Sequence, residues 1–362
     1  MASVWQGKRV FITGHTGFKG SWLALWLGQM GAEVTGFALD PPTPTNLFEL
    51  ARLDETLTHI VGDIRDIGTL TESVRRAAPD IVFHLAAQPL VRQSYAQPVE
   101  TYATNVMGTV NLLEAVRQAG DIAGVVCITT DKCYENKEWE WPYRETDPLG
   151  GYDPYSSSKA CAEIVAAAYR QSFFPTDRIA VGGCAIATVR AGNVIGGGDF
   201  AEDRLIPDLL RAFEAGEAPA IRSPNAVRPW QHVLEALGGY LMIGERILAG
   251  DASMAQAWNF GPSDDDARPV SWIIDHIRAA WGGTAAAPVP WNGTIPHEAG
   301  LLRLDASRAR DALGWRPALP LADAIAWIVD WHRAVAAGQD ARDVCIDQIT
   351  RYAQRMARPL RS

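Results

Sequence analysis

A chain of 362 residues with 48% hydrophobic and 21% charged side chains can bury a large core, and its length suits one large α/β unit with a smaller lobe. The formal net charge of −9 argues against an extended nucleic-acid surface and directs attention to local arginines as holders of an anionic ligand. The five cysteines (Cys127, Cys133, Cys161, Cys184, Cys345) form no CxxC pair and no His/Cys cluster has zinc-ligand spacing, so reduced, packed thiols and no metal are expected. Met1 to Arg9 carry no apolar signal core and no window approaches the roughly eighteen apolar residues of a membrane span, so a cytoplasmic protein is expected, with no membrane or nucleic-acid partner.

Val10-Phe11-Ile12 reads as a short buried strand running into Thr13-Gly14-His15-Thr16-Gly17-Phe18-Lys19-Gly20. Leu23, Trp26, Leu27 and Met30 then recur at helical spacing as far as Gly31. Such a strand, glycine-rich turn and helix suit pyrophosphate: glycines allow close backbone approach, and the helix N-terminus presents free N–H groups to negative charge. The spacing is GxxGxxG, and in this the stretch resembles short-chain dehydrogenase/reductase proteins of the extended type. The resemblance implies a Rossmann-type, doubly wound parallel sheet with a smaller, discontinuous α/β substrate lobe. It also implies cofactor contacts from Gly14, Thr16, Gly17, Phe18, Lys19 and Gly20.

A second strand, Glu33 to Leu39, ends at Asp40, where a carboxylate can bond the adenosine ribose hydroxyls and repel a 2′-phosphate, favouring NAD over NADP. An aspartate that merely starts the Pro41-Pro42 turn is the competing reading. Ile60-Val61 leads into Gly62-Asp63-Ile64-Arg65-Asp66, a helical pattern (Ile67, Leu70, Val74, Ala77) and the strand Ile81 to Leu85. The resemblance implies Asp63 and Ile64 at the adenine, and Leu85, Ala86, Ala87 and Gln88 along the pyrophosphate and ribose; close backbone packing alone would also select such small residues. Arg92 follows on a loop able to face substrate, and the next helix, about Val99 to Ala119, contains Asn105, which the family uses to stabilise that helix and its water network.

The strand Val125 to Thr130 carries Thr129-Thr130-Asp131-Lys132-Cys133-Tyr134, with Cys133 close enough to be an accidental target for alkylating agents. Glu135 to Asp153 reads as an ordered loop over the site, and Tyr155 to about Phe173 as helix. A further strand, Ile186 to Val189, precedes Asn193 and the glycines 196–198 that mark the exit from the dinucleotide-binding half. Beyond them a helical stretch beginning at Arg228 and a late strand at Ala257 to Gly261 are expected to pass back through the first domain. Residues 1–190 with returning segments at about 228–261 thus form the NAD-binding domain, and 191–227 with 262–362 the substrate lobe, a division resting mostly on the resemblance.

Tyr155 and Lys159, four apart, share a helix face, and a cation there lowers a phenol's pKa from about 10 so that it can serve as base. That supports hydride transfer from an alcohol carbon to NAD. The central segment further resembles sugar-nucleotide 4,6-dehydratases, where a Thr-Asp-Glu tripeptide follows this strand; the sequence here is Thr130-Asp131-Lys132. The lysine, the Gly14–Trp22 opening, the Asp131–Asn136 segment, His297-Glu298 and the late Leu313–Pro317 turn are similar to CDP-glucose 4,6-dehydratases. The resemblance implies Thr130 at the sugar 4-hydroxyl, Asp131 as acid at the 6-hydroxyl, Lys132 in place of the C5 base, and deoxysugar synthesis of the kind that supplies lipopolysaccharide O-antigen. To act as base Lys132 must be neutral, roughly three units below about 10.4; an orienting cation and a water-mediated route are the alternatives. The nucleotide-sugar substrate, CDP-glucose by resemblance, needs cations, for which Arg204, Arg222, Arg228 and Arg303 stand in the lobe, with Arg92 and Asn193 beside them. A homodimer through helices near 99–119 and 155–173 is implied. A 4-epimerase or another base's dehydratase, and a non-catalytic NAD sensor, are the rival readings.

Overall fold

Short apolar runs separated by amphipathic stretches fold as alternating strands and helices. The computed structural model describes residues 3–282, 285–293 and 299–357; His297 and Glu298 lie outside them. In chain order the elements are β1 (Arg9–Thr13), α1 (Phe18–Gln29), β2 (Glu33–Ala38), α2 (Leu47–Leu50), β3 (Thr58–Val61), α3 (Ile67–Ala77) and β4 (Ile81–His84). Next come α4 (Val91–Ala96), α5 (Pro98–Tyr102), α6 (Gly108–Ala119), β5 (Gly124–Ile128), α7 (Pro154–Ser172), β6 (Ala185–Ala191) and β7 (Asn193–Ile195). The remainder comprises α8 (Leu205–Glu214), β8 (Ala220–Ile221), β9 (Val227–His232), α9 (Val233–Leu248), β10 (Ala257–Phe260), β11 (Ala267–Pro269), α10 (Val270–Trp281), β12 (Val289–Pro290), α11 (Leu321–Ala336) and α12 (Ala341–Met356).

Seven strands pair in the order β10-β6-β5-β4-β1-β2-β3, all parallel. This is the doubly wound dinucleotide-binding order extended by one strand, and its switch point lies between β1 and β4, where a ligand crevice is expected beyond the carboxyl ends. Because both faces of such a sheet are covered, β4 and β5 are buried along their whole length. Alternate side chains serve opposite layers: Val10 and Ile12 join the core beneath α1 and α9, whereas Phe11 joins the core with Leu70 of α3 and Leu112 of α6. The lobe has its own core, in which Leu209 and Phe213 of α8 meet Ile273 and Ile277 of α10 and Ile325 and Ile328 of α11.

Four features differ from the sequence expectation, the first being Arg92, expected on a loop, which stands on the short helix α4. The segment from Arg228 is strand, not helix: β9 pairs with β7 and β11, and helix begins at Val233, after His232 caps it by accepting from Leu234 N. Pro229 explains this, since it lacks an N–H and disfavours helical geometry in the residue before it. The expected helix near 99–119 is broken by a wide turn at Ala103–Met107, which contains Asn105. The tail helix α12 lies against α1 as well as α11, with Tyr352 edge-on to Trp26 at 5.7 Å, so the chain finishes on the cofactor half.

Candidate active site

The glycine turn is shaped by close approach. Gly14 has φ +78° and a Cβ there would lie 2.7 Å from Ala86 N, while one on Gly20 would meet Gly14 O at 2.1 Å. Gly17 caps α1 without any side-chain hydrogen bond, so the first N–H groups of that helix remain available to an anion. Thr16 ties the turn to the end of β2 by donating to Leu39 O at 2.9 Å, and Thr13 Oγ1 accepts from Ala86 N at 3.2 Å. Asn105 holds the next stretch, accepting from Gln88 N at 2.8 Å and donating to Gln88 O at 3.1 Å and Ser158 Oγ at 2.9 Å. Asp40 is exposed just past β2. Asp63 is gripped by Arg65, whose hydrogen bonds hold its carboxyl below the usual range, and Asn111 donates to the carbonyls of Ile64 and Arg65 at 3.0 and 3.1 Å. The bare helix end and the Cβ-intolerant turn fit the pyrophosphate of NAD.

Past β5 the chain makes a single tight turn, Asp131–Cys133, capped by Thr130 Oγ1, which accepts from Lys132 N at 3.3 Å and donates to Asp131 Oδ1 at 2.9 Å. Asp131 is 2% exposed, and burial raises its pKa against the opposing charges of Lys132 and Arg228. Its Oδ2 has no hydrogen-bond partner among the described residues. A carboxyl so placed favours its protonated form, the form a proton donor needs. Lys132 is half-buried and, with Lys19, Asp131 and Tyr155, lines a cleft of about 530 Å³.

Burial pushes the Tyr155 phenol up to about 12, partly offset by a hydrogen bond with Thr130 and by the charge of Arg204. Lys159, the cation expected to depress this phenol, instead donates its Nζ to Ile128 O at 3.2 Å, and burial lowers it to about 8. Lys19 is lowered further, to about 7, by burial and by the charges of Lys159 and Arg204. The glycine turn therefore sends an amine to the chemical end of the cleft as well as backbone toward the cofactor.

The arginines occupy distinct places. Arg204 donates to Asp199 at 2.8 Å, and Arg92 to Asp203 at 2.5 Å. Arg222 Nη2 donates to Asp203 O at 3.2 Å, and Arg228 donates to the carbonyls of Val227 at 3.0 Å and Gly300 at 3.3 Å, and to Ala299 O. All four line the same cleft, as does Asn193; Arg303 is not among its lining residues, and its carbonyl accepts from Tyr143 N at 3.0 Å.

Two functional supports escaped sequence reasoning. Glu163 accepts from Thr129 at 2.5 Å, Thr188 at 2.7 Å and Arg190 at 2.8 Å, and both members of the Glu163–Arg190 ion pair are 3% exposed. Arg190 also donates to Tyr134 Oη at 2.8 Å, which in turn donates to Asn259 Oδ1 at 2.7 Å. This network lies directly under Thr129–Tyr134. Its signal was present: Glu163 falls four residues after Lys159, and Arg190 places a charge in a mostly apolar, wholly buried strand. Cys133, expected to be open to alkylation, is fully buried, and burial raises its thiol well above the ordinary value, so it is protected.

The parallel order, the glycine turn over β1 and the Tyr155/Lys159 pair on α7 define a short-chain dehydrogenase/reductase of the extended type. A family model described as GDP-mannose 4,6 dehydratase matches residues 11–327, and the chain belongs to this family. It is 55% identical, over 93% of its own length and 93% of the relative's, to a CDP-glucose 4,6-dehydratase of Salmonella typhimurium. It is 28% identical to a dTDP-glucose 4,6-dehydratase of Xanthomonas campestris pv. campestris, covering 89% of this chain and 92% of that one. Among solved structures, the dTDP-glucose 4,6-dehydratase DesIV of Streptomyces venezuelae, with NAD bound, superposes with a TM-score of 0.72 at 25% identity over 92% of this chain and 99% of that one. The UDP-glucose 4-epimerase of Thermotoga maritima shares the fold, with a TM-score of 0.75 at 20% identity over 90% of this chain and 99% of that one.

Proposed function

We propose that the chain converts CDP-D-glucose to CDP-4-keto-6-deoxy-D-glucose and water, a hydro-lyase reaction in deoxysugar synthesis. Bound NAD supplies the acceptor for the C4 hydride and the donor that returns it at C6, so none is consumed. Tyr155 takes the proton of the 4-hydroxyl as a phenolate, a form that burial opposes and that the hydrogen bond with Thr130 and the charge of Arg204 favour. The new ketone acidifies C5–H, Lys132 removes that proton, and Asp131 protonates the departing 6-hydroxyl; a proton then returns to C5. The observation that carries elimination over simple epimerisation is Asp131, buried, raised in pKa and with Oδ2 unpartnered among the described residues, beside Lys132 on the cleft wall. Arg92, Asn193, Arg204, Arg222 and Arg228 supply the polar lining for the diphosphate, and the position of Arg303 outside that lining argues for its removal from the set.

The test is a panel of CDP-, dTDP-, GDP- and UDP-glucose incubated without added NADH and read by mass spectrometry. Loss of one water from the CDP sugar is expected; unchanged mass with inversion at C4 would make the chain an epimerase. We also propose a cytoplasmic homodimer. Val99 (81% exposed), Met107 (50%) and Tyr102 (39%) around α5, with Ile164 (56%) and Phe173 (52%) at α7, are the apolar side chains that such an interface would cover. Light scattering that gives the mass of one chain would refute it.

A further inference from the structure

Arg92 and Arg222 reach the cleft from different halves of the molecule. Arg92 stands on α4, beside the cofactor half, and Arg222 immediately follows β8 in the lobe. Both converge on Asp203, the second residue before α8: Oδ1 is 2.5 Å from Arg92 Nη1 and 3.7 Å from Arg222 Nη1, and the Asp203 carbonyl accepts from Arg222 Nη2 at 3.2 Å. Arg92 also lies over the Trp291 ring, 5.9 Å from its centroid. All four residues line the cleft that contains Asp131 and Tyr155. Asp203 holds this place with φ at +61°, in the left-handed region, where an aspartate is tolerated but not favoured. The arrangement is two guanidiniums closing on one anion, the geometry suited to a diphosphate, with a carboxylate of the chain itself between them.

We propose that Asp203 is a stand-in anion: in the free protein it gathers Arg92 and Arg222, and on binding it yields both guanidiniums to the diphosphate of the nucleotide sugar. This rests on the nucleotide-sugar reading above. An internal carboxylate competes with the ligand for the same two cations and repels it, so Asp203 lowers nucleotide affinity and eases release of a product that carries the same diphosphate as the substrate. The side chains of Arg92 and Asp203 are 37% and 38% exposed, which keeps the competition small enough to be reversed by a dianion.

The test uses the NAD-loaded full chain and two variants, Asp203→Asn and Arg92→Met, with CDP as the probe in titration calorimetry. Asparagine preserves shape and suits the left-handed backbone, so the variant folds. Asp203→Asn is expected to bind CDP about two- to five-fold tighter, the range a half-exposed ion pair commands, and to lower KM for CDP-glucose with no rise in kcat. In an Arg92→Met background the gain from Asp203→Asn shrinks, because one of the contested cations is gone. Equal or weaker CDP binding by Asp203→Asn overturns the inference and leaves the dehydratase reading intact. Failure of the wild-type protein to bind CDP at all overturns both.

Discussion

Replacing Arg190 by Met isolates the support beneath the catalytic strand. The guanidinium donates to Glu163 at 2.8 Å and Tyr134 at 2.8 Å and lies 4.9 Å from the Tyr134 ring centroid. Without it the Glu163 carboxylate keeps the hydroxyls of Thr129 and Thr188 but remains a charge in a site 3% exposed that has lost its ion-pair partner, with only the more distant charges of Lys159 and Arg170 to offset it. Stranding a buried ion in this way costs about 3–5 kcal/mol, a large share of the roughly 5–15 kcal/mol that holds a domain folded. Removing both charges, with Glu163→Leu and Arg190→Met together, spares that penalty. Thr129 Oγ1 then keeps Val189 O as an acceptor, at 3.2 Å. The double variant is therefore expected to lose at least about 2 kcal/mol less than the sum of the single losses. Urea unfolding at neutral pH, followed by far-UV circular dichroism and tryptophan fluorescence, measures all four proteins. An Arg190→Met cost below about 1 kcal/mol, or simple additivity, would show that the pair is not the support argued here.

Asp131→Asn should lower dehydration about 100-fold or more while sparing C4 oxidation, seen as NADH absorbance on adding substrate. Lys132→Met should retain NAD and lose C5 exchange with deuterated water; persisting exchange moves the base elsewhere. Gly14→Ala places a Cβ 2.7 Å from Ala86 N at φ +78°, so protein purified from it should release far less NAD on denaturation than wild type. Glu235 accepts from Leu319 N and Ala318 N and from Tyr352, and burial raises its pKa to about 7 from the ordinary 4.5. A raised carboxyl stabilises fully below about 4.5, and that contribution fades as pH climbs through about 7. It amounts to about 3 kcal/mol, and Glu235→Gln should flatten the stability profile across that window. An unchanged profile would place the titration elsewhere.

The parallel sheet was legible because its central strands are short apolar runs, with Gly14, Gly31 and Asp80 bounding the first strands, signals that act locally. Thr130, Asp131, Lys132 and Tyr155 could be named because they sit at a strand end and on the first turn of a helix, positions fixed by the fold's connectivity. The lobe was read less well. At Arg228 the hydrophobic pattern suited a helix, and only pairing with β7 and β11, distant in sequence, makes it a strand. The Glu163–Arg190 pairing was not legible for a similar reason: each charge stands out locally, but only the adjacency of α7 and β6 makes them partners. Of the arginines expected at the substrate, Arg303 is the one absent from the lining of the cleft.

In the proposed cycle one hydride leaves C4 and returns at C6 of the same sugar while Asp131 and Lys132 expel the 6-hydroxyl. CDP-glucose deuterated at C4, incubated with the enzyme in ordinary water without added NADH, tests it by nuclear magnetic resonance of the product. A 4-keto-6-deoxy sugar lighter by one water, with the deuterium at C6, is expected. Deuterium lost to solvent, or retained at C4 in an epimerised sugar, would contradict it.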